Sequence, residues 1–208
     1  MKKILVIAAA AVFAFCACEK DNTDQVQGSG NQGGNAKVSG LVLNELSGAD
    51  KYIELYNTTD KEINLDGVYL VKYDSSKEGG QSTTWTGKGG IKIAAKGFVV
   101  LESSDLADEA EGGDPAYQYE SANHVFKGGL SGKKNVFIEL YSAKDEKLSE
   151  FKRGDEGAGW NQVSGFNNDK KHTFSRVPNG TGDWAYADPT KGAANGAKTA
   201  DLEHTPEM

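Results

Sequence analysis

The stretch Tyr52-Ile53-Glu54-Leu55-Tyr56-Asn57 alternates apolar and polar side chains. This period of two predicts a β-strand in which Ile53 and Leu55 face the core, while Glu54 lies on the opposite face between two tyrosines. A similar alternation in Val136–Tyr141 sets Val136, Ile138 and Leu140 against Phe137, Glu139 and Tyr141. The second set is partly aromatic, and tyrosines in such positions more often pack at a sheet edge than form a binding surface.

Short alternating runs of this kind recur along the chain, at residues 38–46, 68–73, 98–102, 147–151 and 173–177. Turn signals such as Asp66-Gly67 and Asn179-Gly180 separate them, and the 26 glycines fall mostly in such connections. Only residues 105–111 have a helix-like composition, and Gly112-Gly113 should end that segment within two turns. The pattern therefore predicts an all-β domain, either a sandwich or a barrel.

Several segments, taken in order, resemble the lamin-tail domain, an immunoglobulin-like β-sandwich. They are Leu43-Asn44-Glu45, Tyr52–Asn57, Ile63-Asn64-Leu65-Asp66-Gly67, Val136–Tyr141, Phe174-Ser175-Arg176, Trp184 and the run from Pro189 to Asn195. Lys191 departs from the proline that the family has there. The resemblance implies a lamin-tail-type sandwich over residues 37–195, with long inserted loops near 75–90 and 103–123. It implies an accessory or interaction module and supplies no catalytic residue.

The N-terminus has the layout of an export signal, with two lysines, an apolar run over residues 4–15 and then small residues. That run is too short to span a bilayer. Ala17 precedes Cys18, which resembles a lipoprotein cleavage site, so we expect residues 1–17 to be removed and Cys18 to carry lipid. The acidic and lysine-containing residues 19–21 resemble a signal for the outer membrane and cell surface, although they also suit the start of a solvated tether.

Composition limits the partners. Loss of Lys2 and Lys3 leaves 21 basic against 30 acidic residues, a formal charge of −9, which disfavours nucleic acid as a partner. With Cys18 capped by lipid, the mature chain has no cysteine for disulfide, thiol or metal chemistry. Residues 18–36 have the composition of a flexible tether, and the tail from residue 196 to 208 is expected to be disordered.

Two glutamates could be read as a catalytic pair for glycoside hydrolysis, namely Glu45 and Glu54. Because both lie in the segments that resemble the family, a structural role is the stronger interpretation, and we expect one of them to pair with Arg176. The tryptophans divide by setting. Trp184 is expected to pack in the core, whereas Trp85 and Trp160 lie among polar residues that suit sugar stacking, so the candidate binding residues are Trp85, Trp160, Asn161, Gln162, Phe166 and Asn167.

No metal or other cofactor is predicted. The histidines are isolated, and the acidic residues of 105–114 lack the spacing of an EF-hand, although calcium binding by that insert stays open. The sequence thus favours a non-catalytic, lipid-anchored module of the cell envelope whose ligand is a protein or a glycan. The alternative is an extracellular hydrolase of polymers that uses loop carboxylates.

Overall fold

The computed structural model describes residues 40–73, 80–130, 136–153 and 172–201. The described residues form β1 (Leu41–Ser47), β2 (Tyr52–Asn57), β3 (Ile63–Asn64), β4 (Tyr69–Tyr73), β5 (Gln81–Thr86), β6 (Lys92–Ile93), β7 (Phe98–Ser103), β8 (Val125–Phe126), β9 (Val136–Tyr141), β10 (Lys147–Arg153), β11 (Thr173–Val177), β12 (Asp183–Ala187) and β13 (Lys198–Asp201). Each of the seven segments predicted as strands contains a strand.

The strands form two main sheets. A seven-stranded sheet has the order β13-β12-β11-β1-β2-β7-β8, a four-stranded sheet has the order β10-β9-β4-β5, and β3 pairs with β6 in a short ribbon. Among these strands every pairing is antiparallel except that of β7 with β8. The fold is a mostly-strand, sandwich-like arrangement, as the sequence predicts. Among the described residues, no helix has the length and apolar character needed to cross a membrane.

The core lies between the two sheets. The seven-stranded sheet contributes Ile53 and Leu55, and the four-stranded sheet contributes Leu70, Ile138 and Leu140, all at most 1% exposed. Burial of each such side chain stabilises the fold by about 1.5 to 3 kcal/mol. The predicted inward direction of Ile53 and Leu55 is confirmed.

The outer face of β2 is also buried, which strand alternation alone does not predict. Tyr52 and Glu54 are both 0% exposed. They are covered by residues 188–197. This segment follows β12, crosses the outer face of the seven-stranded sheet and leads to β13, which pairs with β12. We call residues 188–197 the crossover segment. Its contacts with β2 show that this sheet has a second, polar layer outside the hydrophobic core.

Two local expectations differ from the structure. The composition of residues 196–208 predicts disorder, but Lys198–Asp201 form β13, because β12 offers them an edge on which to pair. The helix-like insert forms two single 3₁₀ turns, Ser104–Leu106 and Glu109–Glu111. Gly112 ends the second turn with a φ of +79°, a conformation that favours glycine.

Candidate functional site

The outer face of the four-stranded sheet carries two stacked aromatic pairs. Tyr69 of β4 lies directly opposite Tyr141 of β9, with ring centroids 5.1 Å apart. Four residues further along β4, Tyr73 stacks on Phe137 at 4.3 Å. Each of these rings is half-buried. Val71 and Glu139 lie between the two pairs. We call these two residues and the four aromatic residues the aromatic face.

Glu139 ties the aromatic face together. Its Oε2 accepts hydrogen bonds of 2.8 Å from the hydroxyls of both Tyr73 and Tyr141, and its Oε1 lies 3.0 Å from Lys147 Nζ. Burial opposes ionisation, but these three donors outweigh it and hold the pKa of Glu139 below its ordinary value. Burial and the same carboxylate raise the pKa of Tyr141 to about 12. The ring orientations are therefore fixed before any ligand arrives.

Lysines and carboxylates lie together on this face, where the Asp145 carboxylate also accepts a hydrogen bond from the Tyr69 hydroxyl at 2.9 Å. Lys147 contacts both Glu139 and Glu150, the latter at 2.6 Å, and Lys152 lies over the Phe137 ring at 5.6 Å from its centroid. The neighbouring edge strand β5 adds Thr83, which is exposed and directly opposite Val71. This surface combines four aromatic rings and a hydroxyl with charged side chains of both signs. Such a surface fits recognition of another molecule better than it fits chemistry.

A second polar cluster lies under the crossover segment. Glu45 of β1 and Glu54 of β2 are direct cross-strand partners, and both are 0% exposed. Burial raises the pKa of Glu54 to about 7, against the opposing effect of its hydrogen bonds from Asn44 and Gly192. Two adjacent carboxylates, one with a raised pKa, are the feature that the hydrolase alternative requires.

The donors of the chain itself occupy these carboxylates. Glu45 accepts hydrogen bonds from the Thr173 hydroxyl at 2.7 Å and from the amide and hydroxyl of Thr190 at 3.0 and 2.8 Å. Glu54 Oε1 accepts from Asn44 Nδ2 at 2.9 Å, and its Oε2 accepts from the Gly192 amide at 2.7 Å. Because every carboxylate oxygen already has a partner and none is exposed, the pair in this conformation stabilises the fold and offers no site to a substrate.

The predicted ion pair between Arg176 and a glutamate is wrong. In the β1–β11 register Glu45 faces Ser175, so the next residue, Arg176, points to the opposite side of the sheet. There its Nε donates to the carbonyl of Leu43 at 3.0 Å, and its guanidinium lies over the Trp184 ring at 4.6 Å. Burial lowers the pKa of Arg176 to about 10. The structure places Trp184 in the core, 5% exposed.

The expectation that the Trp85 indole is exposed is also wrong. Trp85 is 4% exposed, and its Nε1 donates to the carbonyl of Asn123 at 2.8 Å. Its polar neighbours in the sequence point away from the core because side chains alternate along β5. The other candidate binding residues, Trp160, Asn161, Gln162, Phe166 and Asn167, lie outside the described residues, as does Cys18.

The described part of the chain contains no candidate metal centre. No group of three or more His, Cys, Asp or Glu side chains is arranged there to hold an ion, and this includes the acidic insert at 105–114. An open groove of about 370 Å³ is lined by Val177, Asp183, Trp184, Ala185, Ala197 and Lys198. Asp183 is the single carboxylate in that lining, so the groove lacks the paired acids that glycoside hydrolysis needs. Sequence reasoning identified the outward set Phe137, Glu139 and Tyr141 but favoured packing at a sheet edge, and it did not predict that Tyr69 and Tyr73 of β4 stack on these rings.

The fold and the surface define an immunoglobulin-like β-sandwich of the kind used as a binding or structural module. The sequence profile of the Lamin Tail Domain family matches residues 31–155, well over half of the chain, and the protein belongs to that family. Among curated proteins, none matches the chain significantly. The match ends before β11, so the strands and crossover segment that cover Glu45 and Glu54 lie beyond it.

Proposed function

We propose that this protein is a lipid-anchored, non-catalytic module of the cell envelope that binds a protein or glycan through its aromatic face. The observation that carries the proposal is the pair of stacked rungs, Tyr69 with Tyr141 and Tyr73 with Phe137, locked by the buried Glu139. Aromatic side chains held rigidly in this way give contact area at a small cost in conformational entropy. Half-buried rings on a sheet face are suited to that use.

The non-catalytic part of the proposal rests on the occupied carboxylates. Glu45 and Glu54 have no exposed oxygen, and the donors that hold them come from β1, β11 and the crossover segment. A hydrolase that used Glu45 or Glu54 would need one of these groups to reach a substrate. Turnover of any envelope polymer by the purified protein, lost in a Glu54→Gln variant, would contradict this part.

The anchoring part rests on the sequence around Cys18 and has a matched control in Cys16. We expect cells grown with labelled palmitate to label the wild type and a Cys16→Ala variant, and to leave a Cys18→Ala variant unlabelled. Labelling that survives Cys18→Ala would refute the anchor. Loss of labelling with Cys16→Ala alone would move it to the other cysteine.

The binding part is tested with a pair of equivalent substitutions. Thr83 is exposed beside the aromatic face, and Thr181 is exposed in the turn between β11 and β12. A glycan array and a pull-down of envelope proteins would first identify a ligand for the wild type. Thr83→Arg, which sets a long charged side chain beside Val71, should weaken that ligand at least tenfold, while Thr181→Arg should leave it unchanged. Equal affinities of the two variants would exclude this face as the site.

A further inference from the structure

The crossover segment is fastened to the sheet by ionisable groups. Thr190 donates to Glu45 through its amide and hydroxyl, Lys191 Nζ lies 2.8 Å from Glu102 Oε1, and the Gly192 amide donates to Glu54. Its three partners on β1, β2 and β7 are thus all carboxylates, each at most 3% exposed. Hydrogen bonds to charged groups of this kind contribute about 1.5 to 3 kcal/mol each.

Apolar burial does little to hold the same residues. Pro189, Ala193 and Ala194 are exposed. Gly192 has no side chain to bury, and even a Cβ at that position would reach no atom closer than Val100 Cγ2, at 3.9 Å. The hydrophobic effect therefore contributes little to closure. Attachment of residues 188–194 depends on the carboxylates below them.

The far end of the segment is fixed by neutral groups. Asn195 Nδ2 donates to the carbonyls of Asn44 and Arg176 at 3.1 and 2.9 Å, and the Asn195 amide donates to Asn179 Oδ1 at 2.9 Å. On the other side, Ala187 belongs to β12. Residues 188–194 thus form a short bridge between two anchors that do not titrate.

We propose that residues 188–194 are a latch whose closure over β1, β2 and β7 is coupled to the protonation of the carboxylates beneath it. The latch closes most firmly in acidic solution and loosens as the pH rises toward neutrality. Opening it would uncover Glu45, Glu54, Glu102 and Tyr52 on one face of the sheet. This inference does not depend on the proposed binding function.

The direction follows from the groups that face Glu54. Glu45 on β1 is its direct cross-strand partner, and Tyr52 lies two residues before it on β2, opposite Glu102 of β7. The ammonium of Lys191 pairs with Glu102, so the adjacent Glu45 and Glu54 carboxylates have no cation of their own among the described residues. Burial raises the pKa of Glu54 from 4.5 to about 7, and this effect outweighs the hydrogen bonds from Asn44 and the Gly192 amide, which lower it. The closed state therefore binds the proton more tightly than an open state does, and closure weakens progressively as the pH rises from 4.5 to about 7.

Glu102 sets the acidic limit. Burial opposes its ionisation, but hydrogen bonds from Lys191 and Tyr117 prevail and lower the pKa of Glu102 below 4.5. The closed state consequently favours the ionised form of Glu102, and closure also weakens when the pH falls below that range. The latch is expected to be tightest near pH 4.5, above the range in which Glu102 takes up its proton and below the range in which Glu54 ionises.

Hydrogen exchange at the amides of Thr190 and Gly192 tests the latch. Full-length protein purified in detergent would be measured from pH 5.5 to 8.5, with rates corrected for the intrinsic pH dependence of exchange. The shift in pKa corresponds to a loss of protection of about 30-fold over this range. In a Glu54→Gln variant, protection should no longer change with pH, whatever its absolute level.

Two control variants separate the latch from other causes. Glu139→Gln alters a buried carboxylate in the other sheet and should retain the wild-type pH dependence. His172→Gln removes a group whose Nε2 lies 4.0 Å from Asp188 Oδ1 at the start of the segment, and it too should retain the dependence. Constant protection in the wild type, or an equal fall in the wild type and Glu54→Gln, would overturn the proposal. Loss of the dependence in His172→Gln would also overturn it, by assigning the effect to the histidine.

Discussion

Substitution of Glu139 should separate the contacts that hold the aromatic face. In Glu139→Gln, the amide oxygen can occupy the Oε2 position and accept from both tyrosine hydroxyls, while the amide nitrogen faces Lys147 Nζ, itself a donor. Lys147 keeps Glu150 as a partner at 2.6 Å. We therefore expect a loss of about 1 kcal/mol in the free energy of unfolding.

Glu139→Leu removes all three contacts and leaves the hydroxyls of Tyr73 and Tyr141 without their acceptor. Two hydrogen bonds to a buried carboxylate, whose side chain is 5% exposed, bring the expected loss to about 3 kcal/mol. Urea unfolding at pH 7, followed by tryptophan fluorescence, measures both variants, and the m-value should stay constant.

A double-mutant cycle assigns the difference to the hydroxyls. Tyr141→Phe keeps the stacking on Tyr69, so it should cost about 1 kcal/mol in the wild type and close to nothing in the Glu139→Leu background. If Gln and Leu at position 139 cost the same, or if Tyr141→Phe costs the same in both backgrounds, Glu139 does not hold the rings and the reasoning fails.

Three further outcomes are expected. Arg176→Met should lower the free energy of unfolding by about 3 kcal/mol in urea titrations, because the Leu43 carbonyl loses its donor and the cation over Trp184 is removed. Its effect should add to that of Glu54→Gln, since the two side chains lie on opposite faces of the sheet. Strong coupling between the two substitutions would support the ion pair instead. Gly192→Ala should lower the free energy of unfolding by about 1 kcal/mol, because the φ of +82° is unfavourable for a residue with a side chain. Steric clash should add nothing, since the nearest atom to a Cβ there would be on Val100, at 3.9 Å. An unchanged melting temperature would argue against backbone strain. Acid titration should show stability falling below about pH 4.5, because the lowered pKa of Glu139 makes its contribution present above that pH and lost below it; a flat profile would contradict this.

The sequence predicts the strands with strong alternation and misses those whose pattern is diluted. In β12, Trp184 and Tyr186 alternate with alanines. Because the alanine face carries no polar side chain, the strand lacks the alternation of apolar and polar residues that identifies the others. In β5, five of six residues are polar because the strand lies at the edge of its sheet, and only Trp85 enters the core. Neighbouring residues on a strand point to opposite faces of the sheet. The polar residues on either side of Trp85 therefore indicate the environment of the other face, and the exposure predicted for Trp85 from them was wrong.

The polar layer could not be predicted from local pattern. Glu54 is buried by Gly192, which lies 138 residues away in the chain, and nothing near Glu54 in the sequence indicates that cover. The failed pairing of Arg176 has a different cause. Its positive charge is opposite to that of Glu45 and Glu54, but the alternation of side chains along β11 places Arg176 on the other side of the sheet. Register decides which charges meet, and register depends on tertiary structure.

The claim that the aromatic face binds an envelope component is tested most directly by photo-crosslinking in cells that produce the protein. A photoreactive residue would replace Thr83, beside the face, or Thr181, in the β11–β12 turn. We expect a discrete crosslinked product from position 83 that is absent from position 181. No product from position 83, or the same product from both positions, would contradict it.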